Sequence, residues 1–307
     1  MPKDFWYDSC GAGRIHGCRW DPVGKPCGVL QIVHGIADHA RRYDDFADYM
    51  TEMGFVVVAE DHMGHGLSGG ENTHRGYFNG GWFCAVEDTY HLLLSTKEEF
   101  KDLPFVLLGH SMGSFMAQSI LQKYPHTTID GCILCGTGWQ PHTGASAVAK
   151  MCDAICKISG DTRQSDKLQE LMFGAYNLKV EHLRTEYDWV NRLNREVDRY
   201  LADPLCRDPV TAGLVRDLLT GITFIQEEHN LQRMNKELPV LIISGGDDPV
   251  GTYGLGTRKT AREFKSVGMQ NVTMHIYPLC RHELLHELNK FEIYDDIYNW
   301  IKASCIM

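Results

Sequence analysis

Apolar positions along this chain fall into two textures. Short runs that are apolar almost throughout alternate with longer stretches in which apolar residues recur every three or four positions. The first texture fits buried strands and the second amphipathic helices. "DFWYDS" and "RIHGCRW" open the chain as strands, joined through Gly11-Ala12-Gly13, which suits a hairpin turn. "GVLQIVH" predicts a buried strand over 29–34, and the spacing of Tyr43, Phe46, Ala47 and Met50 predicts a helix over 43–53. "GFVVVAE" is the next strand, and "GWFCAVEDTYHLLLSTKEEF" a long helix that ends before Pro104. The strand "FVLLG", the helix "MGSFMAQSILQKY" and the strand "GCILCG" complete this half.

The texture then changes. Residues 139–236 carry helical stretches and many charges but no clear strand. From Pro239 the alternation resumes with the strand "PVLIISG", a helix over 253–267, the strand "NVTMHIY" and a helix over 282–301. Strand–helix alternation predicts a mostly parallel α/β sheet covered by helices on both faces. The break in it predicts a core built from 1–138 and 237–307, with 139–236 inserted as a helical cap or lid.

Composition narrows the function classes. At 307 residues, with 43% hydrophobic and 23% charged residues, the chain reads as a soluble globular protein with one large core. A net charge of −10 argues against a nucleic-acid partner, which calls for a basic face. The opening "MPKDFWYDSC" has no basic segment followed by an apolar one, and no apolar run reaches the roughly 18 residues of a membrane span. The eleven cysteines are scattered through apolar runs and read as buried reduced thiols. These features together predict a cytoplasmic location, with at most brief membrane or micelle contact through the lid.

Candidate chemistry begins at Gly109-His110-Ser111-Met112-Gly113, a G-x-S-x-G motif. Alone the pattern is weak, but here a buried strand ends where it starts and an amphipathic helix begins at Met112, the setting a nucleophile elbow needs. The serine must stand at the apex of a tight turn, and the flanking glycines let the two backbones approach. The N–H of Met112 then points where an oxyanion would form. The loop "VHGIADH" can supply a second donor from Ile36, with His34 ordering that loop. Two later strands end in loops that carry the remaining parts: "GGDDPV" offers Asp248, held by the rigid Asp-Pro step, with Asp247 left to solvent or bonded to the turn, and "LCRHE" offers His282 as base.

"RHELLHEL" admits a second reading. His282-Glu283-Leu284-Leu285-His286 is H-E-x-x-H, which on one helix binds zinc. Against it, Pro278 lies four residues before His282. Asn289 and Glu292 also stand where the extended motif has Gly and His, so a third ligand would have to be a carboxylate such as Glu292 or Asp296. "DHMGHGLSGG" opens no helix on a lysine, so it reads as a structural turn beneath the site rather than a phosphate loop. Trp139, Met151, Met172, Phe173, Tyr176, Tyr187 and Trp189 in the insertion read first as lid-to-core packing, with some of them lining a pocket.

With these residues placed, the chain resembles the lysophospholipase and monoacylglycerol lipase group of α/β-hydrolases. "QIVHGIADHARRYDDFADYM", "GFVVVAEDHMGHGLSG", "GHSMGS" and "RHELLHE" match its blocks in order, and "TEYDWVNRLNREVDRYLADPLC" resembles its lid segment. Met63 departs from the group's usual Arg, which puts a buried ion pair in doubt, and His286 departs from its usual Asn. The resemblance implies an α/β-hydrolase fold and a serine esterase acting on small lipophilic esters, with Ser111, Asp248 and His282 as the triad. It implies no metal and no cofactor. Amide or peptide cleavage, other acyl-transfer chemistry on the same triad, and a non-catalytic binding protein of this fold stay open as alternatives.

Overall fold

Eight strands carry the fold: β1 Lys3–Asp8, β2 Arg14–Trp20, β3 Gly28–Val33, β4 Phe55–Glu60, β5 Phe105–His110, β6 Gly131–Cys135, β7 Val240–Gly245 and β8 Val272–Tyr277. Their order across the single sheet is β1-β2-β4-β3-β5-β6-β7-β8. The two pairings that involve β2 are antiparallel, and all others are parallel. The computed structural model describes residues 1–140, 142–164, 166–206 and 210–306; of residues 142–147, 166, 167 and 171 it describes the backbone alone.

The inner parallel strands β3 to β7 are buried on both faces, which is why they read as continuous apolar runs, whereas the edge strand β8 alternates buried and exposed positions. Along β5, Phe105 and Leu107 face one core while Val106 and Leu108 face the other. The first core is closed by α2 Trp82–Glu99, α3 Met112–Lys123 and α9 Leu255–Ser266, through Trp82, Phe115, Ile120 and Phe264. The second is closed by α1 Asp44–Glu52 and α10 Lys290–Ser304, through Phe46, Met50, Ile293 and Ile297. Each such side chain contributes about 1.5–3 kcal/mol by leaving water. The C-x-x-C spacing of Cys132 and Cys135 on β6 makes no ligand pair, because an odd offset along a strand sends the two thiols into opposite cores.

Between β6 and β7 lie α4 His142–Ser159, α5 Asp166–Phe173, α6 Asn194–Ala202, α7 Ala212–Gln226 and α8 Glu228–Arg233. α7 starts at Thr211, whose hydroxyl accepts the Leu214 N–H at 3.1 Å as an N-cap. Its apolar side, with Leu218, Ile222 and Ile225, shares the first core with α3.

Two expectations fail. The C-terminal helix begins at Lys290, not at 282, because residues 284–286 form a single 3-10 turn and the chain extends again at Glu287. The Glu287 carboxylate there accepts from the backbone of Arg281 and of Leu288, which holds the chain out of helical register. The cysteines are not all buried and reduced: Cys10 is bonded to Cys84, joining the β1–β2 turn to α2, and Cys27 is exposed.

Candidate active site

β5 and α3 are separated by a single residue, Ser111, with φ 53° and ψ −122°. L-residues rarely adopt that conformation, and holding one there costs of order 1–3 kcal/mol. Several contacts impose it. The Ser111 N–H donates to Cys135 O at 2.9 Å, and its own carbonyl accepts from the Ser114 N–H and hydroxyl at 2.8 and 2.6 Å. The flanking glycines are obligatory on steric grounds. A β-carbon on Gly113 would run into the carbonyl of Val33, and one on Gly109 into the carbonyl of Gly113.

The N–H groups of Met112 and Ile36 donate to no described residue. His34 orders the loop that carries Ile36. Its Nδ1–H donates to Gly35 O at 2.7 Å, and its Nε2 accepts the His62 N–H at 3.0 Å. The loop after β4 supports this one from below, with the Asp61 carboxylate accepting the Ala40 and Leu67 N–H groups, each at 2.8 Å. Met63, in the same loop, is buried.

Asp248 follows β7 and His282 follows β8, and both are buried. The His282 Nδ1–H donates to Asp248 Oδ1 at 3.0 Å, and the same oxygen accepts the Val250 N–H at 2.9 Å. Gly136 has φ +61° and faces this ring; a β-carbon there would lie 3.0 Å from His282 Cε1. Asp247 is exposed. Ser111, Ile36 and His282 line one cavity, although no hydrogen bond joins Ser111 to His282 among the described residues.

The H-E-x-x-H spacing is not a helical ligand pair. His282 is turned to Asp248, whereas the His286 Nε2–H donates to Arg42 O at 2.8 Å. Glu283 is bound to Arg42, Glu292 accepts from Asn289, and Asp296 accepts from Tyr277.

Sequence reasoning missed the ion-pair cluster beside the site. Arg42 grips Glu283 bidentately at 2.7 and 2.9 Å and reaches Asp38 at 3.2 Å, tying the Ile36 loop to the residue after His282. Burial would raise the Glu283 carboxyl, but the Arg42 guanidinium beside it holds it below the usual range. The Asp38 carboxyl is held low in the same way, against burial, by Arg42 and the surrounding imidazoles. Burial first, then the neighbouring His282, pushes the His110 imidazole down to about 3, so it stays neutral. Only the "HARRYDD" and "RHE" blocks hinted at a pairing across 241 residues.

Part of the insertion is fastened to the same loop. Arg281 donates to Asp188 O and Asn191 O at 2.6 and 2.9 Å, the Glu283 N–H donates to Val190 O at 2.8 Å, and Arg192 pairs with Glu287 at 2.8 Å. The Trp189 ring lies 5.1 Å from that of His282.

Two cavities meet at Ser111. The larger, about 280 Å³, is apolar, with Met112, Phe115, Met172, Leu218, Leu219 and Ile222 in its wall. The smaller is more polar and is lined by Asp38, His110, Gln169, Tyr187, Tyr200 and Glu283. Of the aromatic and methionine residues singled out in the insertion, Met172, Phe173, Tyr176, Tyr187 and Trp189 line one cavity or both. Trp139 instead packs under Lys259, and Met151 is exposed.

The sheet order and the serine held between β5 and α3 are those of an α/β-hydrolase of the serine type, and the relatives of this chain make it an enzyme that hydrolyses carboxylic esters. Comparison with known proteins narrows the assignment. The family model described as "Serine aminopeptidase, S33" matches residues 24–289, and the chain belongs to that family. It is 31% identical over 296 residues to a monoacylglycerol lipase of Mycolicibacterium smegmatis, covering 95% of this chain and 94% of that one. To a monoglyceride lipase of Mus musculus it is 27% identical over 289 residues, 91% of this chain and 87% of that one. Among solved structures, a thermostable carboxyl esterase from Bacillus coagulans, in complex with glycerol, superposes with a TM-score of 0.92 at 26% identity, covering 99% of each chain.

Proposed function

We propose that this protein hydrolyses monoacylglycerol-type esters, one acyl chain on a small polar alcohol. The observation that carries the reading is the pair of cavities meeting at Ser111: the larger, apolar one suits an acyl chain, and the smaller one, with Asp38, His110, Gln169 and Tyr187 in its wall, offers polar groups to a small hydroxylated head group. In the cycle, His282 takes the Ser111 proton as the oxygen attacks the ester carbonyl. The N–H groups of Ile36 and Met112 hold the tetrahedral oxyanion. Collapse expels the alcohol, which receives the proton from His282 and leaves Ser111 acylated. Water, losing its proton to His282, attacks the acyl carbon; the second collapse returns the proton to Ser111 and frees the acid. Asp248 stays ionised and orients the ring. No step needs a metal or organic cofactor.

The reading extends to the segment 139–236 as a lid over both cavities. Ile158 and Leu178, 85% and 82% exposed, support transient contact of that lid with a membrane or micelle. Nine free thiols support a cytoplasmic location.

The family description favours a second reading, release of an N-terminal amino acid. Such a substrate needs a free carboxylate for its ammonium group. The two carboxylates of the polar cavity, Asp38 and Glu283, already share Arg42, which supports the ester reading instead. A panel of monoacylglycerols, lysophospholipids, aryl esters and amino-acid amides, with Ser111→Ala as blank, tests both. Turnover of a monoacylglycerol that vanishes in the blank is expected. Amide turnover above ester turnover, or activity that survives Ser111→Ala, overturns the proposal.

A further inference from the structure

The hairpin of β1 and β2, at the sheet edge away from the Asp248 and His282 loops, places three ligand-type side chains together. Asp4 stands opposite Cys18 in the antiparallel register, and His16 lies two residues before Cys18, on the same face of β2. His16 Nε2 is 3.3 Å from Asp4 Oδ1, Cys18 Sγ is 3.4 Å from the same oxygen, and Cys18 Sγ is 4.0 Å from His16 Nε2. A tetrahedral ion bound at ordinary zinc distances needs about 3.3 Å between its nitrogen and oxygen ligands and about 3.5 Å from sulfur to either. Two of the three spacings already fit, and the third has to close by roughly 0.5 Å.

A second observation points to a cation here. The other ring nitrogen of His16, Nδ1, lies 2.8 Å from the buried Asp61 carboxylate, which accepts its proton. The neutral ring therefore presents the lone pair of Nε2 to the Asp4 carboxylate, two acceptors facing each other. A positive charge belongs between them. Either the ring takes a second proton, or a metal ion sits within reach of the thiol as well. A carboxylate behind a ligating imidazole is also the arrangement that orients metal-bound histidines.

We infer that Asp4, His16 and Cys18 form a binding site for a divalent transition-metal ion of the zinc type, with water in the fourth position. On binding, Cys18 releases its proton to solvent; thiolate and carboxylate together then balance the ion's charge. Asp4 is 58% exposed and gives the ion its entry path, while His16 and Cys18 are buried. Arg41, whose charge acts on Cys18, is already paired with Asp44 at 3.0 Å. The ion would fasten the edge strand β1 to β2. The similar grouping of His39, Asp203 and Cys206 lacks a carboxylate behind its imidazole among the described contacts, and that of Cys10, Cys84 and Asp88 has its sulfurs bonded to each other.

Titration of the metal-stripped, full-length protein with Co²⁺ tests the site. One equivalent should produce a thiolate-to-cobalt charge-transfer band with tetrahedral visible bands, displaced by Zn²⁺. Cys18→Ser should abolish the band, whereas Cys27→Ser and Cys206→Ser should leave it. Asp4→Asn, a surface change on an edge strand, should weaken binding at least tenfold with the fold intact by circular dichroism. Absence of the band at one equivalent means that a proton alone fills the gap, and overturns the inference. A band that survives Cys18→Ser overturns it too, as does an Asp4→Asn variant that binds as tightly as the parent. If Cys18→Ser does not fold, the Asp4→Asn result decides.

Discussion

Replacing Arg42 with methionine isolates the charge cluster between the Ile36 loop and the His282 loop. The Arg42 side chain is 10% exposed and that of Glu283 6%, so the pair is screened little by solvent. Removing one member of a buried pair costs about 3–5 kcal/mol, because the other charge is left without a partner. Asp38 keeps the Tyr43 hydroxyl and the His39 N–H, but Glu283 has no other hydrogen bond to its carboxylate among the described contacts, so a loss of about 4 kcal/mol is expected. The pH dependence carries the sharper test. In the parent, Arg42 overcomes burial and holds the Glu283 carboxyl low. That stability is present above the unfolded value of about 4.3 and is lost as pH falls through the lowered folded value. In Arg42→Met burial and the Asp38 charge outweigh the weaker pull of His286, and the carboxyl rises. A raised acid contributes stability only while protonated, so the variant should lose stability as pH climbs from about 4.5 to 7, where the parent's contribution is flat. Urea unfolding followed by tryptophan fluorescence across that range measures both effects. The double variant Arg42→Met/Glu283→Met should recover most of the loss, since neither charge is then stranded. A cost under about 1 kcal/mol, or an unchanged pH slope, would refute the reasoning.

Ser111→Gly should lower ester turnover by roughly five orders of magnitude yet raise unfolding stability by about 1 kcal/mol, as glycine relieves the positive φ at the elbow; paired kinetic and denaturation measurements check this. Asp88, buried under the β1–β2 turn, has its carboxyl pushed up to about 6, chiefly by burial. Its contribution is full below the unfolded value of about 3.9 and lost as pH rises through about 6, so Asp88→Asn should flatten the parent's decline there by about 2 kcal/mol, read by unfolding at pH 4 and pH 8. Leu219→Trp should fill part of the apolar cavity and shift kcat/KM toward short acyl chains by about tenfold, measured over an ester series.

What the sequence made legible was local. β3 through β7 announced themselves as apolar runs bounded by glycine, proline or turn residues, because strands buried on both faces need no polar alternation. The elbow was legible for the same reason: its two glycines and its strand and helix are contiguous. The loops of Asp248 and His282 followed from chain order, since parallel strands deliver their exits to one sheet edge. Partnerships across long separations were not legible. Nothing local tells Arg42 that its carboxylate lies at Glu283, or places Trp189 against His282. The start of α10 was misread because Leu284 and Leu285 continue the apolar spacing. Both side chains are buried, but in a 3-10 turn that bends the chain before Lys290.

The bonds from Arg281, Glu283 and Glu287 to residues 188–192 divide the segment between β6 and β7 into parts with different freedom to change. A short ledge is riveted to the imidazole's own loop, so shifting it displaces the His282 ring. The α4 and α5 roof makes no such bond to that loop among the described contacts. Redesign or natural drift can therefore re-cut the roof to suit other acyl groups, while the ledge has to be inherited intact.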